Sequence, residues 1–242
     1  MTTFKQAWII VRSDFRGDRL KLLWMLLWAL VFMGYMGMLA SMVIEDVLDS
    51  GSGKVIADII LFTIVPMLGF SFSKRTMKYL TEDSYTRMLA YMRSLPIPSA
   101  VVLCKRKLHA VFSFALNGVL FFGLIYAVSA NIRHELPLAA YLAFAMMWIG
   151  YGLIIAGVFI FIELLTSGKV YCVYLMAFML LFIGVSLLIR LADGNLFLYT
   201  LNSAKEWGLS SPLMWGTLLL GTVSVQLFSA WTIQRLKSRD LV

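Results

Sequence analysis

Residues 138–165, LAAYLAFAMMWIGYGLIIAGVFIFIELL, hold 28 positions with a single ionisable carboxylate, Glu163, two residues from the end. A helix of about 20 apolar residues crosses roughly 30 Å of hydrocarbon, so this run predicts a membrane span rather than a core helix. Outward from it the pattern repeats. Comparable stretches cover about Leu22 to Ile44, Val55 to Phe72, Leu108 to Ser129, Val170 to Leu191 and Leu213 to Ile233. The expectation is an all-α membrane protein with six spans forming a single transmembrane domain over residues 1–242. The composition agrees: 61% of the 242 residues are apolar and 14% charged, whereas a soluble domain is about half apolar and a quarter charged. That balance argues against a water-soluble enzyme. The 17 Phe, 10 Tyr and 7 Trp argue against a disordered chain.

The net charge of +8 is distributed unevenly. With six spans, both termini and the segment between spans two and three share one side, which then holds seventeen of the Lys and Arg residues. Only Lys54, Arg133, Arg190 and Lys205 fall on the other. The positive-inside rule places that basic side, with both termini, in the cytoplasm. The first span starts too late, after too many charges, for a cleaved signal peptide, and is expected to stay as an anchor. Cys104 and Cys172 both fall near the cytoplasmic face and read as reduced structural thiols. The cell membrane of a bacterium suits this pattern.

Residues 4–21 are amphipathic: at 100° per residue Phe4, Trp8, Val11, Phe15 and Leu22 lie within about 40° of one line, flanked by Lys5, Arg12, Arg16 and Arg19. A helix lying in the cytoplasmic interface is expected there. The longest polar stretch, residues 73–107, contains Tyr85, Met88, Leu89 and Met92 at i, i+3, i+4 and i+7, and the run halts at Pro96 and Pro98. A short helix with an apolar stripe is expected there, with Thr81 as its candidate cap and Glu82 and Asp83 at its N-terminus, where the helix dipole favours them. Either it packs on its own bundle or it docks on a cytosolic protein. The outer loop from Ala192 to Pro212 carries Phe197, Leu198, Tyr199, Leu201 and Trp207 among polar residues and is expected to sit in the outer interface.

Catalytic constellations are thin. Gly51, Ser52, Gly53 and Lys54 resemble the end of a phosphate loop, but Leu48 replaces its first glycine and Val55 its magnesium-holding hydroxyl. Thr166 to Lys169 fails in the same way. His109 and His134 fall at opposite faces and cannot share a metal. Among charges inside the spans, Glu163 is the main candidate: it reaches the headgroups or pairs with Lys169, or it lines a path or fixes a helix contact. Asp58 and Arg190 are expected at the outer interface. Pro66 can kink the second span. The pairs Gly37 with Ser41, Gly152 with Ala156 and Thr217 with Gly221 permit close helix approach.

An amphipathic helix entering the first span, six spans, a basic loop between spans two and three, and the basic tail QRLKSRDLV together resemble the membrane subunit of an ATP-binding-cassette exporter of the second type. The closest likeness is Glu82 and Asp83, then a helix, then Ser94, Leu95, Pro96, Ile97, Pro98 and Ser99 before the third span; Ser84, Tyr85 and Thr86 stand where many members have Glu-Gly-Thr. The resemblance implies that Glu82, Asp83, Tyr85, Arg87, Met88, Leu89, Met92 and Leu95 form a coupling helix seated in a groove of a separate ATPase. It also implies a second six-span subunit. ATP and magnesium would bind the partner, with no cofactor or catalytic residue in this chain. A hydrophobic or amphipathic cargo, such as a peptide, lipid or drug, fits so apolar a path. The alternative is an ATP-independent immunity or scaffold protein that binds a peptide or partner at the bilayer.

Overall fold

A computed structural model describes residues 2–16, 19–70, 91 and 97–238, all of whose regular elements are helical. These are α1 (Thr3–Arg16), α2 (Arg19–Asp49), α3 (Lys54–Met67), α4 (Ser99–Val128), α5 (Ala130–Glu135), α6 (Leu138–Leu165), α7 (Gly168–Leu191), α8 (Leu196–Trp207) and α9 (Pro212–Ser238). Among the described residues, five helices are long and apolar enough to cross a membrane: Leu22–Asp49 within α2, then α4, α6, α7 and Pro212–Leu236 within α9. The chain therefore has the architecture of a multi-pass helical membrane protein.

The second expected span, Val55 to Phe72, is not among those five, because α3 ends at Met67. Pro66 has no N–H to donate to Phe62, and its ring crowds that carbonyl, which weakens the helix there. The freed Phe62 carbonyl instead accepts the Tyr151 hydroxyl of α6 at 3.2 Å. Beyond the helix, the Leu68 and Phe70 carbonyls accept from the side-chain amide of Asn117 in α4, at 2.8 and 3.1 Å. With no water in hydrocarbon, an interrupted helix needs such substitutes. Gly69 sits so close to α4 that a Cβ there would lie 2.6 Å from the Phe114 ring.

Helix directions follow from which residues meet. Gly150 of α6 lies against Thr217 of α9, and Gly157 against Ser224, so both helices advance by seven residues and run parallel. The α7 crossing lies between them. Gly37 of α2 lies against Phe121 and Leu124 of α4, while Glu45 bonds Ser129 beyond the α4 end, so α2 and α4 are also parallel. The chain between them must return to the end from which α2 set out. Residues 54–70 make much of that journey along α6: Asp58 bonds the backbone of Phe197, whose ring packs on Phe144, and Phe70 packs on Phe159. Fifteen helical residues separate Phe144 from Phe159, about 22 Å.

The α6–α9 seam brings two helix backbones into direct contact. A Cβ on Gly150 would lie 2.7 Å from the Thr217 backbone, and one on Gly221 would lie 2.7 Å from the Gly150 carbonyl oxygen. The Ser224 hydroxyl donates across the seam to the Ile154 carbonyl at 2.8 Å. Lipid tails are as apolar as leucine, so contact of this kind, rather than flight from water, holds membrane helices together. Gly37 and Gly152 use the same device, against α4 and against Val65 and Phe114, respectively.

Two further expectations need correction. The helix that carries the third span begins well before Leu108: α4 starts at Ser99, so Lys105, Arg106 and Lys107 are helical rather than part of a loop. The segment from Ala192 to Pro212 is not irregular: Asn195 caps α8 by accepting from the Leu198 N–H at 2.8 Å, and Phe197, Leu201 and Ala204 bury one face. The expected coupling helix, Glu82 to Leu95, lies outside the described residues apart from Tyr91.

Replacing Gly150 by Leu should force the α6–α9 seam apart at a cost of about 3 kcal/mol, lowering the thermal midpoint in detergent by roughly 6–12 °C. Gly123→Ala is the control, since a Cβ at that position meets nothing within 4 Å. It should leave the midpoint unchanged or slightly raised, because alanine is the better helix former.

Candidate functional site

The run Lys105-Arg106-Lys107-Leu108-His109 on α4 is the polar centre of one end of the bundle. Positions 105 and 109 are one turn apart and share a face. That face receives α1: Lys105 Nζ lies 2.7 Å from Asp14 Oδ2, and His109 Nε2 lies 3.4 Å from the same oxygen. Ala7 and Val11 of α1 are fully buried, and Trp8 packs on Phe112 with ring centroids 6.0 Å apart. The amphipathic helix expected over 4–21 is therefore α1, but its innermost line is Ala7 and Val11, while Phe4 and Trp8 stay exposed.

Arg106, rotated about 100° from Lys105, points to α6 instead. Its Nε lies 2.9 and 3.0 Å from the two Glu163 oxygens and its Nη2 2.7 Å from Oε2, a forked pair. Glu163 is 4% exposed and Arg106 17%. Of the roles expected for Glu163, neither the headgroup contact nor the pairing with Lys169 describes it. It fixes a helix contact, with Arg106 as its partner. A bare carboxylate at that depth would be expensive, and the planar guanidinium satisfies both oxygens. Beside Arg106 lies a cavity of about 10 Å³, enough for one water, bounded by Pro66, Gly69, Phe70, Phe159 and Ile160 among others.

The electrostatics of Asp14 follow from its neighbours. Partial burial alone would push its carboxyl up, but the hydrogen bonds from His109 and Lys105, together with their charges, outweigh this and bring it down to about 2 from the ordinary 3.8.

The opposite end uses carboxylates differently. Asp58, expected at the interface, is buried: its Oδ1 accepts from the Phe197 N–H at 2.7 Å, and its Oδ2 from Leu196 N–H and Asn195 Nδ2, both at 3.1 Å. The Leu196 and Phe197 N–H groups are free donors of the α8 N-terminus, so α3 supplies part of that helix cap. Glu45 of α2 does the same for α5, accepting from the Ser129 hydroxyl and the Asn131 N–H. Lys205 of α8 then pairs with Glu135 of α5. Arg190 is exposed.

The expected coupling residues Glu82, Asp83, Tyr85, Arg87, Met88, Leu89, Met92 and Leu95 lie outside the described residues. Cys104 and Cys172 are unbridged. Among the described residues, no three His, Cys, Asp or Glu side chains are grouped to hold a metal ion. The residues missed from sequence are Asp14, Arg106 and Asn117. The spacing of Lys105 and His109, taken with a continuous helix from Ser99, was the available signal for Asp14.

Glu163→Gln alone should destabilise the fold by about 3–5 kcal/mol by stranding the Arg106 charge. The double variant Arg106→Met with Glu163→Met should recover most of that loss; thermal unfolding of the three proteins checks this. Because the Asp14 carboxyl is held low, its contribution to α1 docking should be fully present above about pH 4 and be lost as pH falls through about 2, loosening the helix. Spin labels at Ser13 and Lys107, in a background without the two native cysteines, should keep one distance from pH 7 to about 4 and broaden below it. Asp14→Ala should broaden already at pH 7.

Compared with known proteins, the chain matches no family model, no curated protein and no solved structure.

Proposed function

We propose that this chain is the membrane subunit of an ATP-driven exporter of the ATP-binding-cassette type, working with a separate ATPase and a second membrane subunit. In this reading residues 54–72 complete a sixth crossing. Both termini and residues 73–98 then lie in the cytoplasm of a bacterial cell, where the Lys and Arg excess belongs. The parallel course of α2 and α4 supports that reading, since the intervening chain has to return to its starting end.

The observation that carries the proposal is the attachment of α4. The segment bearing Glu82 to Leu95 leads directly into Ser99, and within its first eleven residues α4 is held to α1 through Asp14 and to α6 through Glu163. A push on that segment would therefore reach two other helices through charged contacts rather than dissipate in a loose loop. Closure of the ATPases on ATP and magnesium would drive the helix of Glu82 to Leu95. The bundle would then alternate between inward and outward access for a hydrophobic or amphipathic cargo. The chain itself supplies no catalysis in this scheme.

Pull-down of the tagged full chain from its native membrane in mild detergent should recover a nucleotide-binding subunit with ATPase activity. Changing Tyr85, Met88 and Met92 together to Asp should abolish that recovery while membrane insertion persists. A membrane oligomer with no ATPase, even after crosslinking in intact cells, would contradict the proposal and favour an ATP-independent immunity or scaffold protein.

A further inference from the structure

The surface of α1 has three adjoining strips. Ala7 and Val11 are buried against α4. Next around the helix come Phe4 and Trp8, 59% and 42% exposed. Beyond them Arg12, Lys5 and Arg16, all exposed, fall within about 40° of one another at 100° per residue. An apolar strip bordered by a cationic row on a helix beside membrane spans fits the boundary between acyl chains and headgroups.

The height of α1 along the bundle agrees. A hydrocarbon layer of roughly 30 Å occupies about 20 residues of a straight helix, and counting back that far from Val128, the end of α4, reaches about residue 108. His109, which meets Asp14, thus marks the apolar boundary. Phe112, which carries Trp8, lies one turn inside it, and the neighbouring Val111 is 60% exposed, as a lipid-facing residue is. Trp8 therefore meets the outermost acyl carbons when the cationic row is level with the phosphates.

We propose that Lys5, Arg12 and Arg16 form a binding surface for the phosphate groups of anionic phospholipids in the leaflet at the basic end of the bundle, with Phe4 and Trp8 seated among the acyl chains beside them. Three like charges in one row repel each other and are relieved by an anionic surface. Each cation near such a surface strengthens attraction on the order of fivefold, and the effect is screened by salt. The inference does not depend on the transport reading; it requires only that α2, α4 and their neighbours lie in a bilayer.

The test uses the purified full chain in phosphatidylcholine bilayers, with spin-labelled phosphatidylglycerol or spin-labelled phosphatidylcholine as the probe for protein-bound lipid. Phosphatidylglycerol should be preferred by roughly fivefold or more at low salt and approach parity at high salt. The variant carrying Lys5→Gln, Arg12→Gln and Arg16→Gln should bind the two lipids about equally, with its thermal midpoint unchanged. Should that variant not fold, the three single replacements are read in the same assay, each lowering the preference. No preference in the unmodified chain would overturn the proposal and leave the row for an acidic protein. A preference untouched by any replacement would place the bound lipid elsewhere and overturn it equally.

Discussion

The forked contact between Arg106 and Glu163 is the constraint on which the basic end of the bundle depends. A carboxylate buried among apolar helices has to find a cation, and the one that reaches it stands on α4 rather than on the adjacent Lys169. Once α4 is fixed to α6 at that point, the next residues of the same helix present Lys105 and His109 to Asp14, which brings α1 in. About three turns further along, Asn117 holds the carbonyls where α3 has stopped. One helix thus takes polar attachments from α6, α1 and α3, and the Tyr141 hydroxyl of α6 adds another higher up, at the Phe122 carbonyl.

The bilayer imposes the other rule, that backbone polar groups must be satisfied within the protein. Pro66 breaks that rule in α3, and the repair is specific: Tyr151 takes the carbonyl that proline cannot serve, and Asn117 takes the two that follow. At the far end, the donors of α5 and α8 are met by Glu45 and Asp58, which come from other helices. These short helices are therefore held by partners distant in sequence. By contrast α6 and α9 need no such partners, since their glycines bring two backbones into contact.

The long spans were legible because an apolar run of that length has few other uses, and the 138–165 span has the expected bounds. The amphipathic α1 was legible from its periodicity, but not the strip it buries, because Ala7 contributes little to a hydrophobic stripe while fitting closely against α4. Arg106 was hidden by its company: three consecutive cations read as a loop, and nothing local says that one of them meets a carboxylate 57 residues later. The partners of Asp58 were hidden for the same reason, lying at 195–197. The α8 helix did leave a trace, with Asn195 as a cap and Phe197, Leu201 and Ala204 at i, i+4 and i+7, but aromatic residues among polar ones also suit an interface loop.

In the proposed topology the chain crosses back between α2 and α4, so that the segment before Ser99 shares a side with both termini. Single cysteines at Ser52, Thr86, Ser203 and Ser238, in a chain without Cys104 and Cys172, can be challenged in intact cells with a membrane-impermeant thiol reagent. The account predicts labelling at 52 and 203, and none at 86 and 238 until the membrane is opened. Labelling at 86 from outside, or a different side for 86 and 238, would contradict it.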